Sequence, residues 1–184
     1  MRKRRTLVII AAAVAAAALA VPAALAGPGG SGSPHFLFAN ASVSSSTGAL
    51  SVSFKDAGLG TTITSVAIHL HVDTATATYQ CWNNGGKHPK AGNKETVEET
   101  LDLTQNFAVR NGSVTATITV GPPSPGTFTC PAGQDLLLVD VISYSGIFIS
   151  DESPGNTLEA TPDPATADVG HPPNGGILIT PAHG

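Results

Sequence analysis

An antiparallel β-sandwich is the fold class this sequence predicts, and three observations carry it. Apolar residues recur with a period of two over several runs, turn-forming pairs punctuate those runs, and the chain holds a single pair of cysteines. A half-buried strand shows its side chains alternately to core and solvent, so this period reports strands rather than helices. Roughly seven to nine strands around one core, stapled by one disulfide, suit a sandwich of Ig-like or Greek-key type.

The runs follow one another along the chain. Leu50, Val52 and Phe54 alternate with Ser51, Ser53 and Lys55. Val66, Ile68, Leu70 and Val72 alternate with Ala67, His69, His71 and Asp73, and Ala75, Ala77, Tyr79 and Cys81 with Thr76, Thr78 and Gln80. Val114, Ala116, Ile118 and Val120 alternate with Thr115, Thr117 and Thr119. Between Phe107–Arg110 and Ser113–Val120, Asn111-Gly112 is the strongest hairpin signal, because a type I′ turn needs positive φ at both central residues. Ser46-Thr47-Gly48 and Asn84-Gly85-Gly86 mark further turns. Leu136 to Ile142 is nearly all apolar, as expected of a central strand covered on both faces. Thr96 and Glu99 have capping-box spacing for a helix, whereas Val97, Leu101 and Leu103 share one strand face; the surrounding strands decide for a strand. The signature of a true immunoglobulin domain is missing, since Trp82 directly follows the first cysteine.

Outside these runs the composition changes. Residues 1–26 read as a signal peptide: basic Arg2, Lys3, Arg4 and Arg5, the fifteen-residue apolar run Leu7 to Val21, then Ala24-Leu25-Ala26 as the cleavage pattern. That run is shorter than the about twenty residues of a membrane span, so no stable membrane anchor is expected, and Arg4-Arg5 leaves the general and twin-arginine export routes open. Residues 27–34 form a flexible Gly/Ser leader and 35–152 the sandwich domain. Residues 153–184, with Pro162, Pro164, Pro172, Pro173 and Pro181, read as a largely disordered tail in which Ile177-Leu178-Ile179 could dock as an edge strand. The protein is therefore expected to be secreted and extracellular.

Charge and cysteine count narrow the partners. Nine Lys and Arg, less the four of the n-region, leave five against thirteen Asp and Glu, a formal −8. A chain this acidic is repelled by nucleic acid and by anionic membrane. In an oxidising compartment Cys81 and Cys130 are most simply one structural disulfide, worth on the order of 4 kcal/mol in the chain-entropy model.

The segments Cys81-Trp82-Asn83-Asn84-Gly85-Gly86 and Cys130-Pro131-Ala132-Gly133-Gln134 carry a resemblance. They are similar to a Cys-x-Asn-x-Gly-Gly loop and a later Cys-Pro-x-Gly-Gln in small secreted bacterial proteins of uncharacterised function. The resemblance covers roughly residues 35–151. It implies secretion and a β fold, and no reaction.

Two groups of residues are candidate sites. Trp82, Asn83, Lys87, His88, Lys90 and Lys94 lie on or beside the loop after Cys81, where three of the mature chain's five Lys/Arg make a local positive spot. Such a loop on a rigid scaffold can contact an anionic wall polymer, a polysaccharide or a protein, or can simply be solvated. His69, His71 and Asp73 leave one face of a strand, and imidazole with carboxylate suits zinc or copper; the plainer reading is a polar sheet face. Asp140 interrupts an apolar run and marks either a functional carboxylate or a strand-end residue reaching solvent.

Enzymatic motifs are missing. There is no Gly-x-Ser-x-Gly elbow and no phosphate-cradling glycine loop after a strand, and no cofactor motif is recognised. The expectation is a non-enzymatic extracellular protein with a binding or structural role. A small metal-binding protein using the His-x-His face is the alternative, followed by a secreted hydrolase with a dispersed active site.

Overall fold

The computed structural model describes residues 33–83, 93–153 and 155–179. The signal peptide, most of the leader, the Asn84-Gly85-Gly86 turn and Lys87, His88 and Lys90 lie outside the described residues. The described chain is all-β and forms two antiparallel sheets of three and six strands. The small sheet has the order β1 (His35–Val43), β2 (Leu50–Ala57), β5 (Ser113–Val120). The large sheet has the order β4 (Lys94–Ala108), β3 (Ser65–Asn83), β6 (Gln134–Ser150). Along the far side of β6 lie β7 (Thr157–Glu159), β8 (Ala165–Asp168) and β9 (Ile177–Ile179).

The alternating runs become the facing layers. Leu50, Val52 and Phe54 of β2 meet Ile68, Leu70 and Val72 of β3 and Ile142, Tyr144, Ile147 and Ile149 of β6 in one buried core. Phe36, Phe54 and Phe107 add two edge-to-face contacts, with ring centroids 6.0 and 5.3 Å apart. Two runs that look separate in the sequence are one nineteen-residue strand, β3. Its buried positions switch from even (Val66 to Val72) to odd (Ala75 to Cys81), and a bulge between Val72 and Ala75 absorbs the change of phase. The ambiguous 96–103 segment is strand, within β4.

Gly48 supplies a turn that no other residue would fit well. It has φ of +71°, a Cβ there would lie 2.7 Å from Leu138 Cδ2, and its carbonyl accepts the Tyr144 hydroxyl at 2.6 Å.

Three expectations are corrected. Asn111 and Gly112 have φ of 51° and 69°, as a type I′ turn requires, and Arg110 and Ser113 exchange backbone hydrogen bonds of 2.9 and 3.1 Å. The hairpin stops at that single pair, because β4 runs with β3 while all of β5 pairs with β2. The turn therefore hands the chain from one sheet to the other. Within Leu136–Ile142, Leu138, Val139 and Ile142 are buried but Val141 is 53% exposed, because Asp140 at φ 65° breaks the alternation.

The tail is not disordered over its described part. β7, β8 and β9 each pair with a different stretch of β6, so the sandwich runs to Ile179. Prolines stop any one of these strands from growing long, yet they sit between the strands and cost the ladder nothing. Asp163 accepts the N–H groups of Gly146 and Ile147 at 3.1 and 2.9 Å, and Ala160, Ala165 and Val169 are buried in the core.

Candidate functional site

The disulfide closes one end of the large sheet. Cys81, buried near the end of β3, bonds to Cys130 with a Cα–Cα distance of 5.5 Å. This ties the 121–133 segment across that end, next to Trp82 and Asn83, whose backbones pair with Asp135 and Gln134 of β6. Asn93 Nδ2 donates to Gln134 Oε1 at 3.1 Å, which holds the start of β4 to the same corner. A pocket of about 260 Å³ opens there, lined chiefly by Phe128, Cys130, Asp135, Leu136, Leu178 and Ile179. Its wall is mostly apolar, and Leu178 is 57% exposed.

Lys94 also belongs to this end, but its charge is not free. Its Nζ donates to Asp140 Oδ2 at 2.6 Å, and His171 Nδ1 donates to the other oxygen, Oδ1, at 2.9 Å. Asp140 is placed for this by the bulge of β6 and by two backbone bonds to the tail, its N–H to the Gly170 carbonyl and its carbonyl to the Val169 N–H, both 2.9 Å. The Lys94 ammonium, with His171 helping, holds the Asp140 carboxyl below the usual carboxylate range. Asp140 is thus a surface carboxylate with two donors.

His69, His71 and Asp73 do share one solvent-side face, and the pairing of β3 with β4 brings Asp102 among them. Asp102 Oδ1 accepts from His69 Nε2 at 3.0 Å and from His71 Nδ1 at 2.8 Å, and His71 Nε2 lies 2.9 Å from Asp73 Oδ1. A ring with a carboxylate at each nitrogen must donate from both, which is the imidazolium form. Hydrogen bonds to Asp102 and then Asp73 accordingly push His71 above the ordinary histidine value, and His71 holds Asp102 down. The row is an ion-paired sheet face. Among the described residues no three His, Cys, Asp or Glu are placed together to hold a metal ion, and both ring nitrogens of His71 are engaged by carboxylates.

Sequence reasoning missed Asp102, His171 and the pocket. Asp102 and His171 are remote in the chain from their partners, and only strand pairing reveals them. Comparison with protein-family models, with curated proteins and with solved structures gives no match. Among the described residues no helix is long and apolar enough to cross a membrane.

Proposed function

We propose that this chain is an exported, non-enzymatic binding domain whose contact surface is the disulfide end of the large sheet. The observation that carries the reading is the apolar pocket beside Cys130, rimmed by the exposed Leu178 and held by a covalent tie. Pockets that are mostly apolar, with few polar groups, are the usual binding sites of folded domains. A hydrolase is disfavoured, because the pocket gathers one carboxylate, Asp135, and neither serine nor histidine. A metal-binding role at His69, His71 and Asp73 is disfavoured by the engagement of both His71 nitrogens.

Of the partners the sequence admits, a protein segment with an apolar anchor suits this end best. A bare polysaccharide is normally gripped by several exposed aromatic rings, and the chain has one Trp and two Tyr, of which Tyr79 and Tyr144 are buried. An anionic wall polymer calls for free cations, and Lys94 is paired with Asp140. Export rests on the residues 1–26, and the disulfide is compatible with it.

The test is a selection of displayed random peptides on the chain from Gly27 onward, disulfide formed, followed by titration against Leu178→Arg. Peptides with an apolar anchor that bind the variant at least about tenfold more weakly support the reading. Equal binding by the variant, or retention on isolated bacterial walls that Leu178→Arg leaves unchanged, defeats it.

A further inference from the structure

The corner after β6 meets the small sheet through two acidic side chains. Asp56 of β2 is fully buried, its backbone paired with Phe36 of β1 and Val114 of β5. Asp151, which directly follows β6, gives its N–H to the Asn156 carbonyl at 3.3 Å, and its charge acts on Asp56. Asn156 of the same corner donates Nδ2 to Asp56 Oδ1 at 3.3 Å and accepts the Phe36 N–H on Oδ1 at 3.1 Å. Asp151 Oδ1 accepts the Ser153 N–H at 2.8 Å. What is left is one oxygen of each acid. Asp56 Oδ2 and Asp151 Oδ2 are both buried, and neither meets a donor among the described residues.

Two ionised carboxyl groups in this position would each lose hydration and would repel one another. One hydrogen between the two free oxygens removes both penalties. A divalent cation fits less well, because calcium takes six or more oxygens and only two stand free here.

We propose that Asp56 and Asp151 share one proton, forming a latch between the two sheets that is closed in mildly acidic surroundings and loosens when the proton leaves. The groups around it leave Asp151 as the charge that acts on Asp56. Lys55 is the next residue on β2 and points to the opposite face. His35 of β1 donates Nδ1 to the Ser33 carbonyl at 2.9 Å, and Glu152 is exposed. Val114 of β5 and Asn156 carry no charge. Burial first, and the Asp151 charge second, push Asp56 up to about 6 from 3.8. The native state then keeps a proton that the unfolded chain releases, so the latch stabilises fully below about pH 4 and its contribution is lost as pH rises to about 6.

The deciding experiment is a ¹³C NMR titration of the aspartate carboxyls in the disulfide-bonded chain, with thermal melts from pH 4 to 8 on wild type and Asp151→Asn. One carboxyl titrating near 6 is expected, with a wild-type melting temperature that falls as pH rises from about 4 to about 6. Asp151→Asn supplies a permanent amide hydrogen and removes the Asp151 charge while burial of Asp56 remains, so its profile should be shallower over that interval. Both carboxyls titrating near the ordinary value of about 4 overturns the proposal. So does an unchanged pH profile in Asp151→Asn. Millimolar calcium that raises the melting temperature at pH 7.5 in wild type but not in the variant reassigns the pair to a cation and also overturns it. If Asp151→Asn does not fold, the wild-type titration decides alone.

Discussion

The Nζ of Lys94, at the start of β4, lies 2.6 Å from Oδ2 of Asp140, which sits on a bulge of β6 two strands away. The pair crosses over β3 and turns the one cation of the disulfide loop that the structure describes into half of an ion pair. Both side chains are about two-fifths exposed, so solvent screens the attraction. Lys94→Met should therefore lower stability by less than about 1 kcal/mol, and the loss should shrink in high salt. Urea denaturation at two ionic strengths checks this; a larger loss that ignores salt would mean the lysine acts by packing.

His71 makes a separate contribution to pH dependence. Its folded value is raised by Asp102 and Asp73, so the native state holds a proton that the unfolded chain gives up. The stabilisation is fully present below the ordinary value of 6.5 and is lost as pH climbs through the raised folded value. Melting temperatures of wild type and His71→Gln should converge at alkaline pH and separate below neutrality, wild type being the more stable. Parallel curves would mean that the ring contributes through packing alone.

Gly146 is a position where a side chain should be poorly tolerated. Its φ is +64°, and a Cβ there would lie 2.1 Å from Asp73 Oδ2. Gly146→Ala should cost roughly 1–3 kcal/mol from backbone strain and displacement of Asp73 together. Adding Asp73→Ala should recover the part due to the carboxylate and leave the backbone share together with the clash against the Cβ at position 73, 2.6 Å away, and a double-mutant cycle in urea measures the coupling. Full additivity would show that the two residues do not meet in solution.

Removing the tail should be far more damaging than its composition suggests. Deleting residues 152–184 strips three strands from β6, together with the buried Ala160, Ala165 and Val169, and removes Asn156 from Asp56. The expected product is aggregated or rapidly proteolysed, because it exposes a seventeen-residue strand edge. A soluble fragment with a cooperative melt would show that the sandwich folds without its tail.

The all-β class, the disulfide partners and the buried faces of β2, β3 and β5 are legible in the sequence, because each rests on local period or on elimination among two cysteines. His69, His71 and Asp73 fall on one face for the same reason. What the tertiary structure alone decided is which remote strands lie side by side. Asp102 reaches His71, Asp140 reaches Lys94 and His171, and Asn156 reaches Asp56 only through pairings and corners that no local pattern encodes. The tail illustrates the same limit: strands of three and four residues bury too little by themselves to leave a period, and they hold because β6 offers a ready-made edge. Local sequence sets how each segment alternates, and the balance of burial, charge and hydrogen bonding between segments sets where it goes.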